Sequence, residues 1–493
     1  MSQHATTASK IVTTVRQNFN KGTTKTLPHR KSSLKNLLKF FEENENAIVD
    51  AVFADSRRPR EETRVEIFTA LSHLKYLLDN VQKWSRPEKA SKRWVDLLDG
   101  VYVYNDPFGV VLVMTCWNMP ILTLIPIAGA IAAGNCVVVK PSHNGPNFGH
   151  FLATTLPKYL DPEFCPVFWA SRDDTPKLLE QRFDYIYFTG SPSVGKIIHN
   201  AASKHLTPTT LQMGGKNPVY IDSTADLELA AARIIWGKCL NSGQVCSAPD
   251  YILCSKPVEE GFIKHAKTAI EKFFPDSKHC PIVNDHHCYR LSKLLQGLDI
   301  ALGGGTDLPQ RTMEPTIAVN VSPDHPIMQE EIFGPILPIV TVNSLDEAVD
   351  FVNRREKPLV IYLFTKNKSA REFFIDNTSS GAVTINDTLM HVIVESLPFG
   401  GVGSSGMGRY KAKYSFDTFV NKRSVLVKNS WRVVEKVYEL RYPPYTKRKT
   451  DMINFLNKYR GGPSWESVFW LVVFLLGVVA GFVLFYVVVG LRA

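Results

Sequence analysis

The chain has 493 residues, of which 44% are hydrophobic and 21% charged, a composition that excludes a disordered protein and a length that allows two or three globular domains. The net charge of +10 comes from dispersed Lys and Arg residues with no aromatic and basic recognition motif, so nucleic acid is not an expected partner. The 8 cysteines show no CxxC pair and no secretory signal precedes them, which indicates a reducing compartment.

The amino-terminal segment 1–41 contains no acidic residue, which is typical of a mitochondrial transit peptide. Apolar residues nevertheless recur at helical spacing from Ile11 to Phe41, so we predict helices here and confine any targeting role mainly to the first ten residues. A second helical repeat predicts an amphipathic helix packed on the core, formed by Ile67, Leu71, Leu74, Leu78 and Val81.

From residue 101 onwards the pattern changes to short apolar runs separated by segments of helix length. The runs lie at 110–114, 136–139, 166–169 and 185–188. Alternation of this kind predicts βαβ units and a mostly parallel sheet, and therefore an α/β fold.

A doubly wound sheet binds nucleotide at the carboxyl ends of its strands. Those ends carry Trp117-Asn118, Lys140-Pro141-Ser142 and Thr189-Gly190. The helix that begins after Gly190 can hold a pyrophosphate on the free N–H groups of its first turn. Its GxxxxGK sequence is followed by Ile197 rather than Ser or Thr, so it does not predict a phosphate-transferring P-loop.

Cys246 lies between a predicted helix at 226–240 and a predicted buried strand at 251–254, in a turn of the kind that exposes side chains. A nucleophilic cysteine needs a partly exposed, electropositive position, and we expect Cys246 to have one. A free cysteine is more often a small buried hydrophobic residue, so Cys246 alone does not indicate catalysis. The functional interpretation depends on motifs elsewhere in the chain.

Those motifs, in this order and at these separations, resemble the aldehyde dehydrogenase superfamily, and among its branches most closely the membrane-anchored fatty aldehyde dehydrogenases. The resemblance covers nearly the whole chain and is carried by Trp117-Asn118, Lys140-Pro141-Ser142, Phe188-Thr189-Gly190, Leu211-Gln212-Met213-Gly214-Gly215-Lys216, Asn241 to Asp250 and Gln329-Glu330-Glu331-Ile332-Phe333-Gly334-Pro335. It implies amino-terminal helices and a Rossmann-type NAD(P)-binding domain at 1–210, an α/β catalytic domain with oligomerisation elements at 211–430, a basic linker at 431–467 and a transmembrane anchor at 468–490.

The resemblance also implies the roles of individual residues. Cys246 would attack the aldehyde to form a thiohemiacetal and then a thioester, while the Asn118 amide and the Cys246 backbone N–H stabilise the oxyanion. Glu331 would hold the nicotinamide ribose and Lys140 the adenine ribose of NAD, with NADP as an alternative. The implied cofactor-binding set is Trp117, Lys140, Ser142, Thr189, Gly190, Ser191, Gly195, Gly214, Glu331, Phe333 and Phe399.

The chain departs from the family pattern at two positions. Gln212 occupies the place of the general-base glutamate, and a neutral amide cannot take the proton of the attacking water. Three consequences are open: Glu331 serves as the base, a thiol such as coenzyme A takes the acyl group, or turnover is largely lost. His143 stands where relatives often have a glutamate after Lys-Pro-Ser, which predicts weaker discrimination between NAD and NADP.

Two histidine segments are less informative. The run His286-His287-Cys288 lacks a second pair of ligands at a finger spacing, so no metal site is expected. His391 follows a segment that resembles the substrate-side loop of the branch, and we interpret it as structural rather than catalytic.

The segment 468–490 contains no charged residue and would span about 34 Å as a helix, enough to cross a hydrocarbon core of about 30 Å. Trp465 precedes it and Arg492 follows it, as at membrane edges. Basic residues before the segment place the catalytic body in the cytosol. We expect a tail anchor in the endoplasmic reticulum, with the peroxisomal or mitochondrial outer membrane as alternatives, and by resemblance a homodimer.

The sequence therefore predicts a membrane-bound enzyme that oxidises medium- to long-chain aliphatic aldehydes to carboxylic acids. Because of Gln212, a catalytically weakened relative that binds aldehyde or cofactor at the membrane, or a dehydrogenase that acylates coenzyme A, are the alternatives.

Overall fold

A computed structural model describes residues 3–93, 96–275, 280–458, 470, 473 and 476–478. These residues belong to two compact units, the first comprising Met1–Ser85 and Pro107–Val420 and the second Arg86–Asp106 and Asn421–Ala493.

The described helices cluster in the first 84 residues and between the strands that follow. They are α1 (Gln3–Asn20), α2 (Leu27–Ser56), α3 (Arg60–Trp84), α4 (Leu124–Ala133), α5 (Pro146–Thr155), α6 (Thr175–Leu179), α7 (Pro192–Ser203), α8 (Leu227–Cys239), α9 (Lys256–Phe273), α10 (Asp285–Leu294), α11 (Leu345–Asn353), α12 (Lys368–Asn377), α13 (Ala412–Asp417), α14 (Arg432–Tyr438) and α15 (Lys447–Lys458).

The described strands are mostly short and, in the two main sheets, mostly buried. They are β1 (Glu88–Lys89), β2 (Gly100–Pro107), β3 (Val110–Met114), β4 (Cys136–Lys140), β5 (Tyr185–Gly190), β6 (Thr209–Met213), β7 (Pro218–Ile221), β8 (Tyr251–Cys254), β9 (Asp299–Leu302), β10 (Thr306–Asp307), β11 (Thr312–Met313), β12 (Thr316–Val319), β13 (Ile336–Thr341), β14 (Val360–Phe364), β15 (Ala382–Ile385), β16 (Gly406–Met407) and β17 (Val420–Val427).

The first sheet of unit 1 has the order β16-β6-β5-β3-β4, with four parallel strands and β16 antiparallel at one edge. Its central strands are continuous apolar runs because both faces of a parallel sheet are covered. The predicted run at 166–169 does not become a strand. Val167 makes only an isolated bridge to Val139, and the preceding Pro166 has no N–H to donate to a ladder.

The second sheet of unit 1 has the order β15-β14-β7-β8-β13-β12-β9 and is parallel except at the β9 edge. Successive residues of a strand face opposite sides, and two apolar clusters follow that alternation. Leu253 belongs to one cluster, whereas its neighbours Ile252 and Cys254 belong to the other. The sequence therefore forms a sheet that is buried on both faces, which confirms the expected α/β fold.

In unit 2, β1, β2 and β17 form a three-stranded sheet. The Asp99 carboxylate in this unit accepts hydrogen bonds from the Asn429 backbone N–H at 2.8 Å, from the Tyr438 hydroxyl at 3.0 Å and from Lys428. Among the residues that the structure describes, no helix is both long and apolar enough to cross a bilayer. The predicted anchor at 468–490 lies outside the described residues, apart from 470, 473 and 476–478.

A buried ion pair connects the amino-terminal helices to the first sheet. Arg58 donates to the Glu66 carboxylate at 2.6 Å and to the Asn118 carbonyl at 3.1 Å, and both side chains of the pair are almost wholly buried. The other Glu66 oxygen accepts the backbone N–H groups of Ile121 and Leu122 at 2.8 and 2.9 Å. The pair thus fixes the loop that follows β3.

The substitution Arg58→Met should lower the free energy of unfolding by about 3 kcal/mol, because the Glu66 charge would remain buried without its partner. The midpoint of urea unfolding measures the change. Arg60→Met is the matched control, since Arg60 pairs with Asp50 where both side chains are solvated, and it should cost less than about 1 kcal/mol. Equal midpoints for the two variants would contradict the importance of the buried pair.

Candidate active site

A cavity of about 2360 Å³ opens in unit 1 where the carboxyl ends of the first sheet face the Cys246 segment. Strand register explains part of the grouping, since Met114 pairs with Lys140 on one side and Thr189 pairs with Gln212 on the other. Every residue of the predicted catalytic and cofactor-binding sets lines the cavity except Gly195. Gly195 instead lies in α7, packed so closely against Met213 that a Cβ would collide with it.

Cys246 reaches the cavity from the turn after α8. The Asp226 side chain caps this helix by accepting the Leu229 N–H at 3.1 Å, and the chain then leaves the helix through left-handed residues Asn241 and Ser242. The Cys246 carbonyl accepts a hydrogen bond from the Asn217 amide at 2.8 Å. All eight cysteines are within the described residues, and Cys246 is the one that is not fully buried.

Cys246 is partly exposed, as predicted, but its surroundings are apolar rather than electropositive. Burial raises the pKa of this thiol well above its ordinary value, and the nearby Glu331 and Cys116 act in the same direction. The backbone N–H groups of Cys246 and Ser247 lower it by less. The apolar surroundings and a carboxylate neighbour therefore keep Cys246 as the thiol.

Asn118 is held from both ends. Its side-chain amide donates to the Gln244 carbonyl at 2.9 Å, which leaves the second N–H of that amide available to the cavity. The backbone carbonyl of Asn118 accepts hydrogen bonds from the Arg58 guanidinium at 3.1 Å and from the Asn241 side-chain amide at 3.3 Å. This arrangement fixes a neutral donor beside the Cys246 segment.

Gln212 is buried near the end of β6, on the cavity wall. Its amide nitrogen donates to the Met213 carbonyl at 3.4 Å. Its Oε1 atom has no hydrogen-bond partner among the described residues. A buried acceptor without a partner is costly, so this oxygen is available to a water molecule or a ligand.

Glu331 lies against the glycines that follow Gln212, where a Cβ on Gly214 would collide with its carboxylate. Burial raises the pKa of Glu331 to about 8, and Asp250 adds to the effect. The Gly215 N–H, Lys216 and Lys238 oppose it. Glu331 therefore changes its protonation state near neutral pH.

Sequence reasoning missed the charged network behind Glu331. Lys216 donates to Asp250 at 2.7 Å, and the fully buried Lys238 lies 3.7 Å from the other Asp250 oxygen. Burial lowers the pKa of Lys238 to about 8. Lys216 and Asp250 stand inside motifs visible in the sequence, but Lys238 occupies an ordinary helical position that carries no signal.

The cavity wall formed by the first sheet fits a dinucleotide. Ser191 caps α7 by accepting the Val194 N–H at 3.4 Å, and the Gly195 N–H bonds the Ser191 carbonyl at 2.9 Å. Because Pro192 has no N–H, the first turn of this helix leaves the Ser193 N–H for a ligand beside Thr189 and Gly190. Lys140 lies at the end of β4 and donates to the Pro141 carbonyl at 3.0 Å. Ser142 follows in the same loop, where its hydroxyl accepts the Asn144 N–H at 3.3 Å.

Aromatic rings also line the cavity. The rings of Trp117 and Phe333 meet edge to face at 5.9 Å, and Phe333 has a left-handed φ of 51°. Phe399 is buried and stacks on His391 at 5.9 Å. His391 itself is buried, accepts or donates a hydrogen bond with Thr384 at 2.9 Å, and has a pKa lowered to about 4 by burial.

A small apolar cluster includes the chain neighbours of Cys246. Val245, Ala248 and Leu389 form its buried part, with Met119 and Leu240 packed against them. Trp236 and Ile393 extend this lining of the cavity and are partly exposed. The cavity therefore joins a polar end that suits a nucleotide to an apolar end that suits an aliphatic chain.

The raised pKa of Cys246 predicts slow alkylation in the absence of ligands. The rate with iodoacetamide, read by peptide mass spectrometry, should rise about tenfold per pH unit up to pH 10 without levelling off, because only the thiolate reacts. A small unperturbed thiol in the same series should level off near its ordinary pKa of about 8.5. A plateau for Cys246 below pH 8 would contradict the apolar setting.

Comparisons with known proteins agree with this geometry. The aldehyde dehydrogenase family model matches residues 2–425. The chain is 45% identical over 441 residues to aldehyde dehydrogenase family 3 member B1 of Mus musculus, covering 88% of this chain and 94% of that protein. It is 43% identical over 473 residues to aldehyde dehydrogenase family 3 member A2 of Pongo abelii, covering 94% and 97%.

Among solved structures, the substrate-bound state of Staphylococcus aureus AldH is similar, with a TM-score of 0.87, 37% identity and coverage of 90% of this chain and 98% of that one. The family match, the identities and the shared fold lead to one conclusion. The chain belongs to the aldehyde dehydrogenase family, in its family 3 branch, and is an NAD(P)-dependent aldehyde dehydrogenase.

Proposed function

We propose that the protein oxidises medium- to long-chain aliphatic aldehydes to carboxylic acids at a membrane surface. The observation that carries this proposal is the position of Cys246, partly exposed where the nucleotide-compatible wall meets Val245 and Leu389, the cavity-lining members of the apolar cluster. An aliphatic chain on that cluster would hold its aldehyde carbon beside the thiol.

The Cys246 thiol passes its proton to the neighbouring Glu331 carboxylate, which later releases it to water, and the thiolate attacks the aldehyde carbon to form a thiohemiacetal whose oxygen carries the negative charge. The Asn118 amide and the Cys246 backbone N–H donate to the oxyanion, and losing one such donor typically costs about 3 kcal/mol of barrier. NAD or NADP, when bound, supplies the hydride acceptor. Trp117, Lys140 and Ser142 would hold it, together with the other cavity-lining members of the cofactor set, Thr189, Gly190, Ser191, Gly214, Glu331, Phe333 and Phe399. Gly195 does not line the cavity, and it would act by letting α7 pack closely on Met213.

Release of the acid requires a base, and Gln212 cannot provide it. We infer that Glu331 takes the proton of the water that attacks the thioester. Its pKa is raised to about 8, and it is close enough to Cys246 to raise the pKa of that thiol. General-base catalysis contributes about 10²- to 10⁴-fold, so a carboxylate at a less favourable position leaves deacylation as the slow step. We therefore expect thioester formation to be fast and thioester hydrolysis to be slow in this chain.

The proposal includes the assembly and placement of the enzyme. The uncharged segment 468–490 is long enough to act as a tail anchor after a basic linker at 431–467. It would keep the catalytic body, formed by a cofactor domain at 1–210 and a catalytic domain at 211–430, on the cytosolic side of the endoplasmic reticulum. Aliphatic aldehydes partition into that lipid phase. A homodimer is the assembly that the family resemblance implies.

The Gln212 oxygen, which has no hydrogen-bond partner in the described part of the chain, also favours a second candidate, a weakened relative that binds aldehyde and cofactor with little turnover. A coenzyme A thiol that accepts the acyl group is the related option. The two differ from the main proposal in what happens after the first equivalent of reduced cofactor.

Rapid mixing of the protein with NAD and hexadecanal should give a burst of about one equivalent of reduced cofactor per site, followed by a slow phase. The reason is that acylation has its donors while deacylation lacks the usual base. Gln212→Glu should accelerate the slow phase about 10²-fold and leave the burst nearly unchanged. An unchanged slow phase in this variant would remove position 212 from the explanation.

A burst without a slow phase, which continues only after coenzyme A is added, would support the acylating alternative. No reduced cofactor with any aldehyde, with NAD or NADP, would support the binding protein.

The slow phase should depend on pH through Glu331. Because the pKa of this carboxyl is raised to about 8, it is largely protonated at pH 6, and its basic form should increase about tenfold per unit before levelling off above pH 8. Stopped-flow absorbance from pH 6 to 9 measures this profile. Glu331→Gln should abolish the rise, whereas Glu330→Gln, at the exposed neighbour that pairs with Arg290, should retain it.

His143 should set the choice of cofactor. Its pKa is lowered by burial and by the charges of Lys140 and Arg172, so a neutral ring stands beside two cations. These cations attract a 2′-phosphate, whereas a carboxylate would repel it. His143→Glu should lower the ratio of kcat/KM for NADP to that for NAD at least tenfold, and an unchanged ratio would contradict this role.

A further inference from the structure

We propose that Lys411 is a positioning residue that holds the outer apolar wall of the substrate cavity and thereby sets the preference for long aliphatic chains. The inference rests on the proposed substrate class. Lys411 is 1% exposed, and its side chain ends beneath the segment 389–394, which carries three of the residues that line the cavity.

The Lys411 ammonium binds three backbone carbonyls of one short segment. It donates to His391 at 3.3 Å, to Val394 at 3.3 Å and to Val392. An ammonium has three N–H donors and no acceptor, so these three carbonyls satisfy it completely. A buried cation needs such partners, because it would otherwise be desolvated without compensation.

The segment that Lys411 holds is also supported by its own turns and by contacts of its first half with neighbouring strands. Leu389 is left-handed with φ of 60°, and a short turn at Met390–Val392 follows it. The Val392 N–H bonds the Leu389 carbonyl at 2.9 Å, and the Ile393 N–H bonds the Met390 carbonyl at 3.0 Å. Beyond the segment, the Leu389 N–H donates to the Tyr362 hydroxyl at 3.3 Å and the His391 ring bonds Thr384 at 2.9 Å, which ties the first half of the segment to β14 and β15. Lys411 is what ties the carbonyls of His391, Val392 and Val394 to the α13 end of the fold.

Lys411 is itself held in a strained conformation. Its φ is 77° and that of Ala412 is 49°, a left-handed region that side chains other than Gly rarely adopt. Such residues persist when their surroundings over-determine them. Here the Lys411 N–H donates to the buried Ser415 hydroxyl at 2.7 Å, while the ammonium binds its three carbonyls.

Among the described titratable groups that face Lys411, two are histidines that stay neutral and one is a carboxyl group. Burial and the Lys411 charge lower the pKa values of His73 on α3 and of His391 to about 4, so both rings are neutral. Burial lowers the pKa of Lys411 to about 8, and Glu395 raises it by less. Glu395 in turn binds the Ser72 hydroxyl of α3.

The wall has an inner and an outer part. Leu389 is 5% exposed and belongs to the cluster beside Cys246, whereas Ile393 is 42% exposed and lies further out on the same wall. A short aldehyde contacts the inner part alone. A long aliphatic chain also covers Val392 and Ile393, which Lys411 positions by binding the backbone carbonyls of Val392 and Val394. Loosening the clamp should therefore weaken long ligands selectively.

The test uses non-reacting amides of two lengths with the full-length protein at pH 7.5. The measured quantity is the amide concentration that halves the rate of Cys246 alkylation by iodoacetamide, read by peptide mass spectrometry. Lys411→Met should raise this concentration at least tenfold for decanamide and less than twofold for propanamide. Lys411→Arg should remain within threefold of wild type, because it keeps the charge and several donors.

Lys413→Met is the matched control, since Lys413 is two residues away, partly exposed and paired with Asp417 at 2.6 Å. It should behave as wild type. Hydrogen exchange should accelerate in Lys411→Met at 390–394 and not in α7. If that variant does not fold, Lys411→Gln, which retains two donors without charge, replaces it and should show a smaller shift in the same direction.

An equal shift for both amides, or none for decanamide, would overturn the proposal, because a merely structural lysine would not discriminate by chain length. Wild-type protein that binds decanamide no better than propanamide would contradict the proposed substrate class. That failure is visible without any variant. Unchanged exchange at 390–394 in Lys411→Met would overturn the clamp itself.

Discussion

The active site depends on the contacts of one buried carboxylate, that of Asp250, with two lysines and a backbone N–H. This carboxylate accepts Lys216 from the loop after β6 and the Ile332 N–H from the segment that carries Glu331, at 2.7 and 3.1 Å. It also faces Lys238 of α8 at 3.7 Å. The loop after β6, helix α8 and the Glu331 segment are distant in the chain, but all three contact Asp250, which follows the Cys246 turn. A buried ion that loses its partners is costly, so the elements are held together as a unit.

This network explains how a carboxylate can lie beside an unionised thiol. Two lysines offset Asp250 and part of the Glu331 charge, but burial still raises the pKa of Glu331 to about 8. A glutamate at position 212 would bring another negative charge to the same cavity. With Gln212 the cavity lacks that negative charge and also lacks the usual base. Thioester hydrolysis is therefore slower, while repulsion between carboxylates in the cavity is smaller. For this reason acylation and deacylation are expected to separate in time.

The sequence predicted the regular parts of the fold for clear physical reasons. Continuous apolar runs such as Val110–Met114 and Tyr251–Cys254 became buried strands, and the capping residue Asp226 opened α8. The grouping of Lys140, Thr189 and Gln212 followed from parallel register at one sheet edge. The strand predicted at 166–169 does not form, because Pro166 has no backbone N–H to donate to a neighbouring strand. The hydrophobic pattern on which the prediction rested does not report such missing donors.

The parts that could not be predicted depend on long-range contacts between ordinary residues. Lys238 and Lys411 occupy positions that read as surface lysines, yet each is almost completely buried beside partners far along the chain. The thiol pKa of Cys246 likewise depends on desolvation and on Glu331, which no local motif reports. Motifs therefore identified the residues of the site, while their charge states required the folded structure.

The central claim is that Cys246 carries the acyl group between the two halves of the reaction. The most direct measurement is the mass of the Cys246 peptide after the protein is mixed with NAD and hexadecanal and quenched with acid within the first second. The account predicts a nearly stoichiometric increase equal to a hexadecanoyl group on that peptide. An unmodified Cys246 peptide in a sample that has produced one equivalent of reduced cofactor would contradict it.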